Sequence, residues 1–425
     1  MTDEMNQHLV IVGAGCAGAE LACSARTSGW QGEITLVGEE AELPYHRPPL
    51  SKAYLTGAAS PESLLLKAPA LYSKLAVTLR TGVRVSAIER SARLLRLADG
   101  GTLPYGVLAL ATGGRPRTLP AAREVAGGAV NLHYLRTVES ATAIRGELTP
   151  GARLVVIGGG YVGLEVAAAA IKSGMRVTLL EAAPRLLERV TAPVLSAFYE
   201  AVHREAGVDV RTGTQAENFE MSPDGSRVVA VVINGGERLL VDAVVVGIGL
   251  VPNCELARQA GLAVDDGILV DGQLRTGDAA VFALGDCARF PSALYDRRLR
   301  IESVPNALEH ARLLAAILCG KEPRPETAPW FWSDQYELGL KMSGLSAGHD
   351  RIVLRGTPDS RSFCAFYLRG ARVLAADTVN RAADFMQAKR LVNQQAQVDV
   401  AMLEDESIPL KQIADLAPPA AGPAR

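Results

Sequence analysis

Two short glycine runs carry the strongest chemical signal in the sequence. Gly13-Ala-Gly15-Cys-Ala17-Gly18 follows the apolar run His8-Leu-Val-Ile-Val12, and Gly158-Gly-Gly160-Tyr161-Val-Gly163 follows Arg153-Leu-Val-Val-Ile157. In each run the first glycine permits a tight turn, the second lets backbone approach a ligand, and the third lets a helix pack closely on the preceding strand. The helix N-terminus then presents free N–H groups and the positive end of its dipole, which suits a pyrophosphate. A further apolar run follows each turn. Ile34-Thr-Leu-Val37 ends at Gly38-Glu39, and Arg176-Val-Thr-Leu-Leu180 ends at Glu181. A carboxylate at the end of that strand accepts hydrogen bonds from ribose hydroxyls. One such turn is a weak signal, because glycine turns also serve structure alone. Two copies in strand-turn-helix context, each with an acid about twenty residues on, point to two bound dinucleotides.

The elements that position these turns follow from the flanking patterns. The first helix is read from residue 19 to 28 and the second through Ile171. Glu181 would repel the 2'-phosphate of NADP and no Arg follows it directly, so the second site should prefer NADH; Arg185, four residues on, is the one reservation. Far downstream, Ala280-Val-Phe-Ala-Leu-Gly-Asp286-Cys287 ends a strand on Gly-Asp. Alone this is an ordinary strand end, but beside two dinucleotide turns it is similar to the second FAD fingerprint of flavoprotein reductases. The segments around Gly113 to Pro116 and Gly249 to Asn253 read as crossings where the chain leaves one domain and returns. The expected fold is α/β, with two Rossmann-like dinucleotide-binding domains and a C-terminal α+β domain. The boundaries are 1–114 for the first part of the FAD-binding domain, 115–247 for an inserted NAD-binding domain, 248–325 for the second FAD part and 326–425 for the C-terminal domain.

Composition narrows the chemistry. A chain of 425 residues suits about three domains, and 48% hydrophobic with 21% charged residues suits a globular protein. The 44 Lys and Arg nearly cancel 46 Asp and Glu, leaving a net charge of -2 and no global field for nucleic acid. No apolar run reaches the ~18 residues of a membrane span, and Met1 to His8 is polar and acidic rather than a basic leader, so a cytoplasmic location is expected. The six cysteines are scattered without a C-x-x-C pair, and no two histidines have metal-site spacing. Redox chemistry would therefore come from a bound organic cofactor, with neither a disulfide relay nor a metal.

The ordered set of the first glycine turn with Glu39, Arg47-Pro-Pro-Leu-Ser-Lys52, Ala111-Thr-Gly-Gly-Arg-Pro116, Gly158-Gly-Gly-Tyr-Val-Gly-Leu-Glu165, Gly-Asp286, Glu302-Ser-Val-Pro-Asn306 and Trp330-Phe-Trp-Ser-Asp resembles the FAD-dependent NADH:ferredoxin reductases of bacterial oxygenase systems. That family follows the glutathione-reductase plan. The resemblance implies FAD held by Gly13, Gly15, Ala17, Gly18, Glu39, Lys52, Val85, Arg136, Asp286 and the backbone near Val304. It implies NADH on Gly158, Gly160, Gly163 and Glu181. Tyr161 would lie over the flavin until nicotinamide displaces it, and Glu165 would pair with Lys52. These three are the expected catalytic groups, positioning and gating rather than acting as general bases. A cation near the flavin stabilises charge arriving with hydride, and a carboxylate lowers the cost of burying that cation. Without the resemblance, Lys52 reads as a solvated residue at a helix start and Glu165 as a helical surface residue.

The implied reaction passes hydride from NADH to FAD, then single electrons to an acidic 2Fe–2S ferredoxin that feeds a cytochrome P450 or other oxygenase. Arg312, Lys341 and Lys411 would surround the ferredoxin site with Trp330 nearby, and the chain would be a monomer or weak dimer. Residues 289–324 hold seven Lys or Arg against four acids, a candidate local basic patch. The scaffold also carries NADH oxidases, rubredoxin reductases and monodehydroascorbate reductases, and, among binding proteins, apoptosis-inducing factors that engage DNA.

Overall fold

The apolar runs flanking the first glycine turn are central strands of a parallel sheet. In the computed structural model, which describes residues 8–122, 125 and 128–418, that sheet runs in the order Val281–Ala283, Val107–Leu110, Leu9–Val12, Ile34–Val37, Val77–Arg80. Residues 1–7, read above with His8 as a polar start, lie outside the described residues. Leu9 pairs with both Ile34 and Val107, and every residue of the central strands is buried, as a sheet covered on both faces requires. The helix Cys16–Ser28 packs against the helix Val304–Leu318. It starts at Cys16, earlier than the reading from residue 19, because Gly15 at the end of the turn is itself the N-cap. Composition does not show that, since Cys16 and Gly18 are weak helix formers. These elements belong to a first compact unit made of Met1–His46, Glu62–Arg115 and Leu250–Thr327.

The second unit comprises Arg47–Pro61, Pro116–Gly249 and Ala328–Arg425. Its parallel sheet runs Asp209–Thr212, Arg176–Glu181, Arg153–Ile157, Ala243–Val246, Leu132–Tyr134. An antiparallel sheet follows in the order Trp330–Gln335, Leu338–Gly344, Arg372–Val379, Phe363–Arg369, Arg351–Arg355. Between them lies the helix Tyr161–Lys172, in which every residue from Gly163 to Ala170 is buried. A helix apolar nearly all round must be covered on more than one side. This one touches the strands Arg153–Ile157 and Arg176–Glu181, the strand Trp330–Gln335 and the Pro48–Ser51 turn. Leu164, Val166 and Ala167 accordingly share one core with Leu338, Leu340, Phe363 and Tyr367. The α/β class with two dinucleotide-type sheets and a C-terminal α+β portion is thus present.

One polar group in this core is set against its surroundings. Asp377, on Arg372–Val379, accepts a hydrogen bond from Tyr367 Oη at 2.5 Å, while that oxygen accepts one from Ala192 N–H at 2.9 Å. Burial lifts the Asp377 carboxyl to about 7, although the Tyr367 hydrogen bond pulls the other way. The folded chain therefore holds this proton more tightly than an unfolded chain, whose Asp titrates near 3.8. The resulting stability is complete below that value and is lost as pH rises to about 7. Asp377→Asn keeps an acceptor for Tyr367 and removes the ionisation, so it should raise the melting temperature by several degrees near pH 8 and by little near pH 4. Thermal melts of the two proteins across that range check the sign.

Candidate functional site

In the first turn, packing and openness are divided among the glycines. A Cβ on Gly13, at φ +114°, would lie 2.1 Å from Ala111 O, and one on Gly18 would lie 2.0 Å from Gly13 O. A Cβ on Gly15 would meet nothing within 4 Å. Gly13 and Gly18 are therefore required by packing, whereas Gly15 borders open space. Gly15 caps the helix Cys16–Ser28 with no side-chain hydrogen bond and no acid in the first turn, so no side-chain cap or carboxylate offsets the positive end of the helix that would face an anion. Ala17 lies in that first turn, and a Cβ on Gly285 would come within 3.1 Å of its own Cβ. Gly285-Asp286 is thereby brought against the turn from across the sequence. Gly285 N–H donates to His310 Nδ1 at 3.2 Å, and burial pushes the His310 pKa down to about 4, leaving a neutral acceptor.

The other residues assigned to FAD have separate settings. Glu39 is exposed past the end of Ile34–Val37, 3.7 Å from Arg84 Nε. Val85 is buried in a three-stranded antiparallel sheet. Val304 opens its helix behind the cap Ser303, whose Oγ accepts from Asn306 N–H at 3.2 Å. In the second unit, Arg136 is fixed through its backbone: its N–H donates to Ser140 Oγ at 3.0 Å and its carbonyl accepts from Arg47 Nη1 at 2.6 Å.

The second turn repeats the division. A Cβ on Gly158 would lie 2.4 Å from Gly247 O and one on Gly163 would lie 1.9 Å from Gly158 O, while one on Gly160 would meet nothing within 4 Å. Gly160 caps Tyr161–Lys172, again without a side-chain bond. Glu181 turns its carboxylate onto this loop, accepting from Gly159 N–H at 2.6 Å and Ala183 N–H at 2.7 Å. Arg185 is committed to its own loop, donating to Thr191 O, Ser196 Oγ and Glu188 O at 2.7 to 2.8 Å.

One turn along the same helix, Glu165 gathers three polar side chains onto its carboxylate. Lys52 Nζ lies 2.9 Å from Glu165 Oε1, with side chains 19% and 4% exposed. Ser333 Oγ donates to the same oxygen at 2.6 Å, and Ser51 Oγ donates to Oε2 at 2.5 Å. The plain reading of Glu165 as a helical surface residue fails because its helix is covered on both sides. Lys52 does not start a helix; it follows the single 3-10 turn Pro48–Ser51, whose two prolines bring it and Ser51 to the same carboxylate. Tyr161, at the helix start, donates to Met342 Sδ at 2.7 Å and its ring centroid lies 4.9 Å from that of Phe331. Burial raises its phenol well above the usual range, so it stays protonated.

The residues assigned to a partner fall on both units. In the first, Arg312 is half exposed and donates to Glu20 Oε1 at 2.8 Å. In the second, Trp330 lies 5.7 Å from Trp332 and 5.8 Å from Phe385, centroid to centroid. Lys341 Nζ is 5.6 Å from the Phe385 ring and Lys389 Nζ is 5.0 Å from the Trp330 ring. Lys411 is exposed on the helix Leu410–Leu416. Sequence reasoning passed over Lys389, and over Ser51 and Ser333 as donors although both lie inside quoted motifs. No spacing could have joined positions 51, 165 and 333. All six cysteines are free, and among the described residues no three His, Cys, Asp or Glu could hold a metal and no helix is long and apolar enough to cross a membrane.

Two open turns without a side-chain cap, each on a parallel sheet with a carboxylate at or just past the end of the neighbouring strand, define a two-dinucleotide oxidoreductase. A family model of pyridine nucleotide-disulphide oxidoreductases matches residues 7–311, and one of the reductase C-terminal region matches residues 330–414. The chain belongs to the pyridine nucleotide-disulphide oxidoreductase family. It is similar to putidaredoxin reductase CamA of Pseudomonas putida, with 58% identity over 96% of this chain and 97% of that one. Rhodocoxin reductase of Rhodococcus erythropolis is 43% identical, over 95% and 93% of the two chains. Among solved structures, a covalent putidaredoxin reductase-putidaredoxin complex superposes with a TM-score of 0.95 at 57% identity, covering 96% of this chain and 98% of that one. The chain is an FAD-dependent oxidoreductase that uses a nicotinamide dinucleotide.

Proposed function

We propose that the chain is an NADH-dependent ferredoxin reductase, similar in kind to the putidaredoxin reductases. It would deliver single electrons to an acidic 2Fe–2S ferredoxin serving a cytochrome P450 or another oxygenase. The observation that carries this reading is the buried Lys52–Glu165 pair, 2.9 Å apart, in a chain with no disulfide. FAD, when bound, accepts hydride and releases electrons one at a time. The residues fit it: the cradle at Gly15 is open where a Cβ would intrude, and Gly285-Asp286 is seated against Ala17. Gly13, Gly15, Ala17 and Gly18 would hold the pyrophosphate, Glu39 the ribose and Asp286 the ribityl chain, with Val85, Arg136 and Val304 as further contacts. Lys52 would supply the cation for the flavin, and Glu165 would fix that cation.

Gly158, Gly160 and Gly163 would take the pyrophosphate of NADH. NADH is favoured over NADPH because Glu181 already faces the turn and Arg185, the one nearby cation weighed against it, is occupied by loop acceptors. Tyr161, packed on Phe331 and Met342, is the group that nicotinamide would displace. The free thiols suit a reducing cytoplasm. We assign residues 1–114 and 248–325 to an FAD domain that holds the first glycine turn, 115–247 to an NAD domain that holds the second, and 326–425 to a C-terminal domain.

The decisive test is NADH-dependent reduction of candidate ferredoxins at two salt concentrations. Fast, salt-weakened turnover with slow reoxidation by oxygen supports the reading. Rapid oxygen consumption, or turnover on rubredoxin or monodehydroascorbate instead, selects a rival on the same scaffold. Arg312, Lys341, Lys411 and Trp330 are assigned to the ferredoxin. Arg312→Gln removes a charge without setting an anion against Glu20. It should raise the KM for ferredoxin severalfold at low salt and leave ferricyanide reduction by NADH intact. Loss of both activities would indicate damage to the fold.

A further inference from the structure

The Lys52–Glu165 pair has a buried polar structure behind it that its proposed role does not require. Ser333 Oγ, which donates to Glu165, accepts from Gln335 Nε2 at 3.1 Å. Gln335 Oε1 lies 2.9 Å from His203 Nε2, and His203 Nδ1 lies 3.0 Å from Tyr336 Oη. Glu165, Ser333, Gln335 and His203 are at most 5% exposed, and all these residues belong to the second unit. The strand Trp330–Gln335 supplies Ser333 and Gln335, and the helix Pro193–Glu205 supplies His203.

The carboxylate sets the direction of every bond in this row. A carboxylate opposite an ammonium is an acceptor only, so the single Ser333 hydroxyl proton must point at Glu165. Ser333 Oγ then has only lone pairs for Gln335, which must present its amide N–H. That choice turns Gln335 Oε1 toward His203, which must carry its proton on Nε2. His203 Nδ1 is left as an acceptor, and Tyr336, whose phenol burial raises, is its donor. A flipped amide would set two oxygens against each other at Ser333. Burial lowers the His203 pKa, with the Gln335 hydrogen bond opposing, which agrees with a neutral ring.

We propose that Tyr336, His203, Gln335 and Ser333 form a one-way row of hydrogen-bond donors that ends on Glu165 and positions its carboxylate against Lys52. The proposal rests on Lys52 and Glu165 serving the hydride step. Donors aligned in one sense polarise one another, which strengthens the last bond onto the anion. The row relays no proton, because the Gln335 carboxamide donates its N–H without releasing it. Its members are therefore positioning residues, and they tie Glu165 to two elements distant in sequence from its own helix.

The test uses the FAD-loaded full chain. Nitrogen-15 imidazole spectra of histidine-labelled protein should show His203 neutral with its proton on Nε2 at neutral pH, a readout that needs no variant. Ser333→Ala should lower kcat for NADH-driven ferricyanide reduction by roughly tenfold with the KM for NADH unchanged, and Ser333→Thr, which keeps the hydroxyl, should recover most of it. A proton on His203 Nδ1, an imidazolium, or an unchanged kcat in folded, FAD-replete Ser333→Ala would overturn the proposal while leaving the reductase reading intact. If the wild-type holoenzyme fails to reduce ferricyanide with NADH, the reductase reading fails and the proposal with it.

Discussion

Lys52→Met should slow flavin reduction by saturating NADH about a hundredfold while FAD stays bound, a loss near 2.7 kcal/mol of transition-state stabilisation. The side chains are similar in length, so the change removes a charge rather than volume. Two consequences must be kept apart. The first concerns rate: the cation proposed to meet the negative charge arriving with hydride is gone. The second concerns stability, because Glu165 keeps its hydrogen bonds from Ser51 and Ser333 at 2.5 and 2.6 Å but loses its counter-ion in a buried site. The double variant Lys52→Met/Glu165→Gln removes the orphaned anion too, so it should regain melting temperature without regaining rate. Stopped-flow bleaching of the flavin beside thermal melts separates the two. A normal rate in FAD-replete Lys52→Met would remove the catalytic assignment of Lys52.

The parts of this site that could be read from the sequence are those built from local pattern. Each glycine turn is continuous with its strand and helix, so its geometry is written in a few consecutive residues, and the structure places Gly13, Gly18, Gly158 and Gly163 where a Cβ has no room. The C-terminal strands announce themselves in the same way, through runs such as Phe363–Arg369. What the sequence could not display depends on contacts made over long separations. Ser51 and Ser333 lie on either side of Glu165 by virtue of a turn and a strand that share no local pattern with its helix. The row from Ser333 to His203 is set by the choice of partner at each atom. Lys389 looks like any helical lysine until the ring of Trp330 is found 5.0 Å away.

Within one glycine turn, two neighbouring substitutions should fail for opposite reasons. A Cβ on Gly163 would lie 1.9 Å from Gly158 O and 3.1 Å from Gly158 C, both backbone atoms that cannot rotate aside. Gly163→Ala must therefore lift the helix Tyr161–Lys172 off the strand Arg153–Ile157, disturbing packing on both sides of that helix at a cost of about 3 kcal/mol or more. Because the same helix carries Tyr161 and Glu165, kcat should fall together with the melting temperature. Gly160→Ala is the converse case. At φ -83° an alanine is unstrained there, and its Cβ meets nothing within 4 Å. Stability and FAD content should stay at the wild-type level, yet the methyl group would occupy the space through which the pyrophosphate of NADH approaches the N–H groups. The KM for NADH should then rise tenfold or more, roughly, with a much smaller change in kcat. Steady-state kinetics and melting curves for the pair decide the matter. If Gly160→Ala binds NADH normally, the open space at the turn is not the pyrophosphate site. If Gly163→Ala melts like the wild type, the third glycine is not what allows the helix to sit so close to the strand.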